Sequence, residues 1–564
     1  MKGSMFIKEV LMASFDNMTR RSFLGGAAAT AVAAGTLGAS LSFADEAPQS
    51  EGANYLSYAN PDKIGIVRDA DAEEEFDFVI VGSGISGLTA ALMSAEQAPD
   101  AKILVVEKNS FTGGNSNYAE ICAPAKPVTK EEAFKTAFDK VKAANYMKDL
   151  YMLESLAYDG AYNTEWFLVK HGVKLDVSNF YYENWAGAGA MAHLTEQIET
   201  DPAYANVEIR TDCRAVALLL DDPYACKGVQ VEQDGKVTNL YAKAVFLATG
   251  GMATNFDLLR FFTNTDLEKS FAMGSGQDGD GHLMAQQTAH GMIKSVYTTS
   301  MFHNVRGFSF TSPLGVAAVL QPTSVFVNQY GDRYADESAI NQYAFMTAGK
   351  ALETNGICFS IMGQNLIKLF EEEGSKTKFW FYYGVPTSLA EDFELYADNE
   401  DIFKADTIEE LAEAINVDPA ALAETIATYE ADAAAGADDS KFGKPAEFVV
   451  SLGEGPYYAF KMASGLIQTN GGIRVNKYCQ VCDPYFKPVT GLYAGGIAMS
   501  GLNVEYYSTG TSQAAGLWSG SVVARYVVEH DLGGTVAEDW YGPEPYPGPY
   551  MNREAAGYTK PINA

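Results

Sequence analysis

"FDFVIVGSGISGLTAALMSAEQAPDAKILVVEKNSFTGGNS", residues 76–116, decides the fold. It opens with an apolar run, Phe76 to Val81, of the length and composition of a fully buried strand. Gly82, Gly84 and Gly87 come next, then an Ala- and Leu-rich helical stretch, a second strand from Ile103 to Val106, and Glu107 at its end. Each part has a mechanical reason. Gly82 allows the tight strand-to-helix turn, Gly84 lets the backbone approach a pyrophosphate, and Gly87 lets helix and strand pack closely. The helix N-terminus faces phosphate, and Glu107 can accept hydrogen bonds from ribose hydroxyls. All these parts stand in register within about 30 residues, the span of one βαβ unit, so a dinucleotide is expected here.

Three segments further along the chain choose between FAD and NAD. Gly113-Gly114-Asn115-Ser116 comes just after Glu107, "AVFLATGGMATN" (244–255) carries a late strand into Thr249-Gly250-Gly251, and "TGLYAGGIAMSG" (490–501) brings another to Gly495-Gly496. A chain that returns to its first half after several hundred residues suits FAD, whose extended body needs support from distant segments. No second G-x-G-x-x-G follows an apolar run like Phe76 to Val81, as a nicotinamide-binding unit would need, so reducing equivalents are expected from a protein partner. The residues expected to contact non-covalent FAD are Gly82, Ser83, Gly84, Ile85, Ser86, Gly87, Glu107, Lys108, Gly113, Gly114, Asn115, Ser116, Thr249, Gly250, Gly251, Gly495, Gly496, Thr511 and Ser512.

Composition bounds the rest. The chain has 564 residues, 47% hydrophobic, enough for a large core in two or more domains. Its 72 acidic residues against 40 Lys and Arg give a net charge of -32, which repels a nucleic-acid backbone. The N-terminal "MTRRSFLGGAAATAVAAGTLGASLSFADEA", with Arg20-Arg21 and a small-x-small site ending at Ala44, resembles a twin-arginine export signal, so residues 1–44 are set aside as a signal peptide. The mature protein is then expected on the periplasmic or extracytoplasmic side, with no membrane span. Six Cys are too scattered for a disulfide scaffold, and the lone Cys479-x-x-Cys482 reads as a turn rather than a redox dithiol.

The motifs VGSGISGLTAAL, EKNSFTGGNS, FLATGGM, FVNQYGDRYADES, GPYYAFKMASGLIQTNGGIRVN and GLYAGGIAMSG together resemble the fumarate reductase, succinate dehydrogenase and ketosteroid dehydrogenase flavoprotein superfamily over residues 73–530. The resemblance implies an α/β fold: a Rossmann-like FAD-binding domain of glutathione-reductase type from 73–300 and 465–535, an inserted α+β capping domain at 301–464, and a C-terminal tail at 536–564. "ADTIEELAEAINVDPAALAETIATYEADAAAG" (405–436) independently reads as two capped amphipathic helices, with Leu411, Ile415, Leu422, Ile426 and Tyr429 as core. Segments 207–212, 227–233 and 240–247 read as strands of a small sheet hung on the flavin domain. With no C-x-x-C-H in the chain, the resemblance implies a separate electron donor, such as a membrane-bound or multihaem cytochrome.

The site residues depart from the fumarate reductase pattern. In "YADESAINQYAF" (334–345), Asn341 takes the place of the family's proton-delivering Arg. The family's carboxylate-holding His is Gln468, its Arg clamp is replaced by "EYYSTGTS" (505–512), and an acidic contact falls on Val316-Ala317. A buried carboxylate without its partner loses about 3 to 5 kcal/mol. A neutral substrate is therefore expected. Tyr506 and Gly510 resemble the pair with which ketosteroid dehydrogenases hold a ketone oxygen. The expected chemistry is hydride transfer from flavin N5 to a carbonyl-activated C=C bond of a bulky, aromatic or steroid-like substrate, with Tyr506 or Tyr343 as proton donor. Tyr507, Gln468, Asn341 and His303 are expected around it. An unsaturated carboxylate such as fumarate, urocanate or a cinnamate, or a flavin electron-transfer module with no substrate of its own, are the competing readings.

Overall fold

The computed structural model describes residues 60–536 apart from 120–121, 123–129, 144–148, 177–180, 183–186, 263–269, 273, 275, 289–292, 310–311, 342–356, 378–381 and 503–510. The export-signal segment and most of the C-terminal tail lie outside the described residues, as do Tyr343, Tyr506, Tyr507 and Gly510.

The strands Phe78–Val81 and Ile103–Val106 pair in parallel, and every side chain in both is buried. They are flanked by Ala244–Leu247 on one side and Val207–Arg210 on the other, both parallel. Pro488–Ala494 pairs in parallel beyond Ala244–Leu247. A parallel strand buried on both faces needs an unbroken apolar run, which Phe78–Val81, Ile103–Val106 and Ala244–Leu247 supply, whereas Val207–Arg210 is part-buried and carries Glu208 and Arg210. The sequence expectation for 207–212 and 240–247 is corrected here: Val207–Arg210 and Ala244–Leu247 belong to the main sheet. Only Arg214–Asp222, Ala225–Gln233 and Lys236–Tyr241 form the antiparallel extension. Ala244–Leu247 is apolar throughout and is held against Phe78–Val81, so sequence adjacency to the extension does not decide its partner.

Helix Ile85–Gln97 leaves the first strand and crosses helix Thr511–Tyr526 at very short range. A Cβ on Gly520 would come within 2.4 Å of the Ser86 carbonyl oxygen, and one on Gly516 within 2.7 Å of the Ile85 side chain. The Ser86 and Ser519 hydroxyls bond across the same crossing at 3.1 Å. Small residues there bring the C-terminal helix down onto the turn after the first strand.

Two long antiparallel strands, Ile293–Asn304 and Ala463–Ile473, lead into and out of an inserted body. That body holds a four-stranded antiparallel sheet, in the order Val325–Asn328, Cys358–Met362, Tyr457–Lys461 and Ile402–Ala405. Helices Ile408–Ala414 and Pro419–Ala435 pack beside it, and Leu411, Ile415, Leu422, Ile426 and Tyr429 are all in its core. The first begins with a capping box between Thr407 and Glu410. The second begins with Asp418 accepting from the amides of Ala420 and Ala421, with Pro419 in the first turn.

Candidate active site

A cleft opens where the parallel strands end. It is lined by Val81–Ser86, Glu107 to Asn109, Gly114 to Ser116, Ala248 to Gly250, Gly276-Gln277, Gln468, Gly495 to Ile497 and Ser512-Gln513. Ligands of open α/β sheets bind at this carboxyl edge.

The three glycines of the first turn differ in what surrounds them. Gly82 has a φ of +106°, and a Cβ there would lie 2.5 Å from the Ala248 carbonyl oxygen. At Gly87 a Cβ would stand 2.0 Å from the Gly82 carbonyl oxygen, so helix and strand can meet only without it. Gly84 is different: the nearest protein atom to its Cβ position is Ser116 Oγ at 3.5 Å, an ordinary contact, and the residue lines the cleft. The protein itself leaves room there, so the glycine keeps the backbone open to a ligand.

Glu107 is buried, and its carboxylate accepts from the Ser83 amide at 3.1 Å, the Ser83 hydroxyl at 2.7 Å and the Asn109 amide at 2.9 Å. Ser116 Oγ accepts from the Ile85 amide at 3.1 Å, tying Gly114–Ser116 to the helix N-terminus. Gly113 donates to the carbonyl and hydroxyl of Ser83. Gly87, Gly113, Gly251 and Thr511 are not among the cleft-lining residues; the first three support it from behind. At the Glu107 end, Lys108 bonds Asp278, while Arg214 clasps Asp280 with two contacts of 2.9 Å and reaches Asp62 at 2.7 Å. Burial pushes the Asp278 carboxyl up, but Lys108 and Thr254 prevail and hold it below its ordinary value.

Three buried acceptors in the lining have no hydrogen-bond partner among the described residues: Asn115 Oδ1, Gln277 Oε1 and Thr249 Oγ1. The amide nitrogens of Asn115 and Gln277 are both spent on the Ile467 carbonyl, at 3.1 and 2.8 Å, which turns both oxygens away from it. Buried polar atoms left this way call for a ligand with donors. Ribityl hydroxyls and the flavin imide are such donors, and the residues fit FAD. Gln277 and the Arg214–Asp280 pair were not anticipated from the sequence. The glycine-rich run Gly276-Gln-Asp-Gly-Asp-Gly281, placed just before a helix, is the signal that could have found them.

Gln468 also lines the cleft, from the strand Ala463–Ile473. Asn341 and His303 do not join it. The Asn341 side chain donates to the Lys376 carbonyl at 3.3 Å, and the His303 ring is fully buried edge-on against Phe326, inside the inserted body. Neither residue lines the cleft. Val316 and Ala317 sit in the buried helix Pro313–Val319. Tyr182 is buried with its hydroxyl 3.4 Å from Gln513 Oε1, and Tyr382 packs against Phe370. Cys479 and Cys482 are both free and buried, and burial raises both thiols, Cys482 to about 11. A reactive thiol needs the opposite shift.

Residues 77–512 match the FAD binding domain family. The chain is 29% identical over 498 residues to the vinyl phenol reductase of Lactiplantibacillus plantarum, covering 81% of this chain and 97% of that protein. It is 25% identical over 453 residues to the fumarate reductase (cytochrome) of Shewanella frigidimarina, covering 76% and 72%. Among solved structures, the 3-ketosteroid delta1-dehydrogenase from Sterolibacterium denitrificans shares the fold, with a TM-score of 0.60 at 15% identity over 80% of this chain and 99% of that one.

Proposed function

Because this chain belongs to the FAD binding domain family, we propose that it is an exported flavin reductase that saturates the C=C bond of a neutral, conjugated, aromatic or steroid-like substrate. It is an FAD-dependent oxidoreductase of the fumarate reductase type. Glu107, Asn115, Gln277 and Thr249, with the open backbone at Gly84 and Gly114, would hold the cofactor, which supplies a hydride equivalent.

One observation carries the choice of a neutral substrate: where the arginines are. Between residues 60 and 536 the chain has Arg68, Arg210, Arg214, Arg260, Arg306, Arg333, Arg474 and Arg525, and every one is described. Arg68, Arg210, Arg260, Arg306 and Arg525 pair with carboxylates outside the cleft. Arg333 is buried in the inserted body, and Arg474 stacks on Phe486. Arg214 alone lines the cleft, at the Glu107 end and held by two aspartates. The Gln468 amide meets Ser512 and Asn470, not a guanidinium. A dicarboxylate buried there would forgo about 3 to 5 kcal/mol for each unpaired charge. The vinyl phenol reductase relative acts, by its name, on a substrate with no carboxylate, which agrees.

Tyr506 or Tyr343 supplies the proton in this reading, and Tyr507, Gly510 and Gln468 frame the substrate. Electrons reach the flavin from a separate redox protein on the extracytoplasmic side. Among the described residues no helix is long and apolar enough to cross a membrane.

The test is anaerobic. The flavin of the purified protein is reduced with dithionite and mixed with 4-vinylphenol, a steroid enone, fumarate, urocanate and cinnamate. Reoxidation by a neutral compound and not by the acids is expected, and a Tyr506→Phe enzyme should be slower by about 10² to 10⁴-fold. Rapid reoxidation by fumarate would overturn the reading, and reoxidation by none of them would favour an electron-transfer module.

A further inference from the structure

Gln468 is 3% exposed and lies between two polar neighbours. The Ser512 hydroxyl donates to its Oε1 at 2.8 Å, and its Nε2 donates to Asn470 Oδ1, also at 2.8 Å. The three come from two elements. Gln468 and Asn470 are alternate residues of the strand Ala463–Ile473, and so share one of its faces, while Ser512 is in the first turn of helix Thr511–Tyr526. Ser512 was expected to touch the cofactor; its hydroxyl is directed at Gln468.

The consequence lies in what remains. A primary amide offers two N–H donors and two acceptor lone pairs, and each neighbour takes one. An unrestrained amide could turn over to present whichever atom a ligand wanted. This one is hydrogen-bonded on both sides, which restrains it and leaves one N–H and one lone pair on a side chain that lines the cleft. A hydroxyl is the small neutral group that satisfies both at once, accepting from Nε2 and donating to Oε1. A ketone or an ether can only accept, and would leave the Oε1 lone pair buried and unmet. A carboxylate would in addition bring its charge against that lone pair. Oε1 keeps its bond from Ser512 with any ligand, so the ether forgoes one hydrogen bond, about 0.5 to 1.5 kcal/mol, and sites built to bond a hydroxyl discriminate against the analogue that lacks it.

We infer that Gln468 is a specificity-determining residue that reads a hydroxyl on the substrate, with Ser512 and Asn470 as the positioning residues that fix its amide. This rests on the neutral-substrate reading above and narrows it: the preferred substrate is a phenol, or an alcohol of similar reach, whose alkene is conjugated with the ring bearing the hydroxyl.

Three probes of one shape test it: 4-vinylphenol, 4-methoxystyrene and 4-vinylbenzoate, titrated into the oxidised holoenzyme to follow the flavin spectrum, then used as acceptors in anaerobic turnover. In the native enzyme the dissociation constant and KM for the phenol should be at least about tenfold below those for the ether. Gln468→Met should bring that ratio close to one while leaving flavin content and the ligand-free flavin spectrum unchanged. Ser512→Ala should shrink the ratio in the same direction, and it decides the matter if Gln468→Met does not fold. A native enzyme that reduces phenol and ether with equal KM overturns the inference and leaves the neutral-substrate reading standing. Failure of both neutral alkenes to reoxidise the flavin removes that reading itself. A Gln468→Met or Ser512→Ala enzyme that keeps the full phenol preference, or whose ligand-free flavin spectrum shifts, also overturns the inference, because the amide then serves something other than the substrate.

Discussion

Arg333 and Glu337 face each other as a two-pronged ion pair, with contacts of 2.7 and 3.2 Å, at the centre of the inserted body, where they are 3% and 0% exposed. Asp439 takes the third guanidinium nitrogen, at 2.5 Å, and Glu337 also accepts from the Phe326 amide at 2.9 Å. The Lys444 ammonium lies 3.4 Å from Glu337 and donates to the Ser324 carbonyl at 2.7 Å. The Asp-Glu pair of "YADES" is thus divided: Glu337 anchors the sheet, and Asp336 caps the short turn at Ser338.

Removing one member leaves the others charged and buried. Glu337→Gln and Arg333→Met are each expected to lower unfolding free energy by about 3 to 5 kcal/mol. Urea denaturation checks this, with turnover per folded molecule changing little. A variant with native stability would show that the network is not fully desolvated.

Gly84 and Gly87 should separate cofactor binding from folding. Gly87→Ala drives a methyl into the Gly82 carbonyl and is expected to yield little folded protein. Gly84→Ala meets no protein atom closer than 3.5 Å, so the apoprotein should fold while flavin content on purification falls. Flavin-to-protein absorbance ratios and apoprotein melting curves distinguish the two.

His282 makes stability depend on pH. Burial pushes its pKa down to about 4, partly opposed by Asp280, and neither ring nitrogen has a hydrogen-bond partner among the described residues. Its pKa is lower folded than unfolded, so the unfolded chain binds the extra proton between about pH 6.5 and 4. The contribution of the neutral ring is therefore fully present above pH 6.5 and is lost as pH falls through that window, by about 3 kcal/mol in all. His282→Leu should flatten the stability profile there, measured by denaturation at pH 7, 5.5 and 4.5.

All six cysteines are buried thiols outside any disulfide. A thiol reagent should label none in the native protein and six after denaturation, and turnover should not respond to mild oxidants. Rapid native labelling of Cys479 or Cys482 would reopen the redox reading of that pair.

The sequence was most legible where structure is local. Gly82, Gly84 and Gly87 each meet a constraint set within one βαβ unit, and the caps at Thr407 and Asp418 satisfy amides two or three residues away. It was least legible where distant segments meet. Nothing near Val207 states that it will pair with Ile103, and nothing near His303 states that Phe326 will cover it. Asn115 and Gln277 lie far apart in the chain, and their shared dependence on the Ile467 carbonyl is visible only in three dimensions.

The strands Ile293–Asn304 and Ala463–Ile473 are hydrogen-bonded to each other through several register shifts. They form a doorway through which the chain both enters and leaves the inserted body, and Gln468 is mounted on one jamb. Any tilt of that body would twist this ribbon and swing the amide with it. Closing over a substrate and inspecting it would then be a single mechanical event.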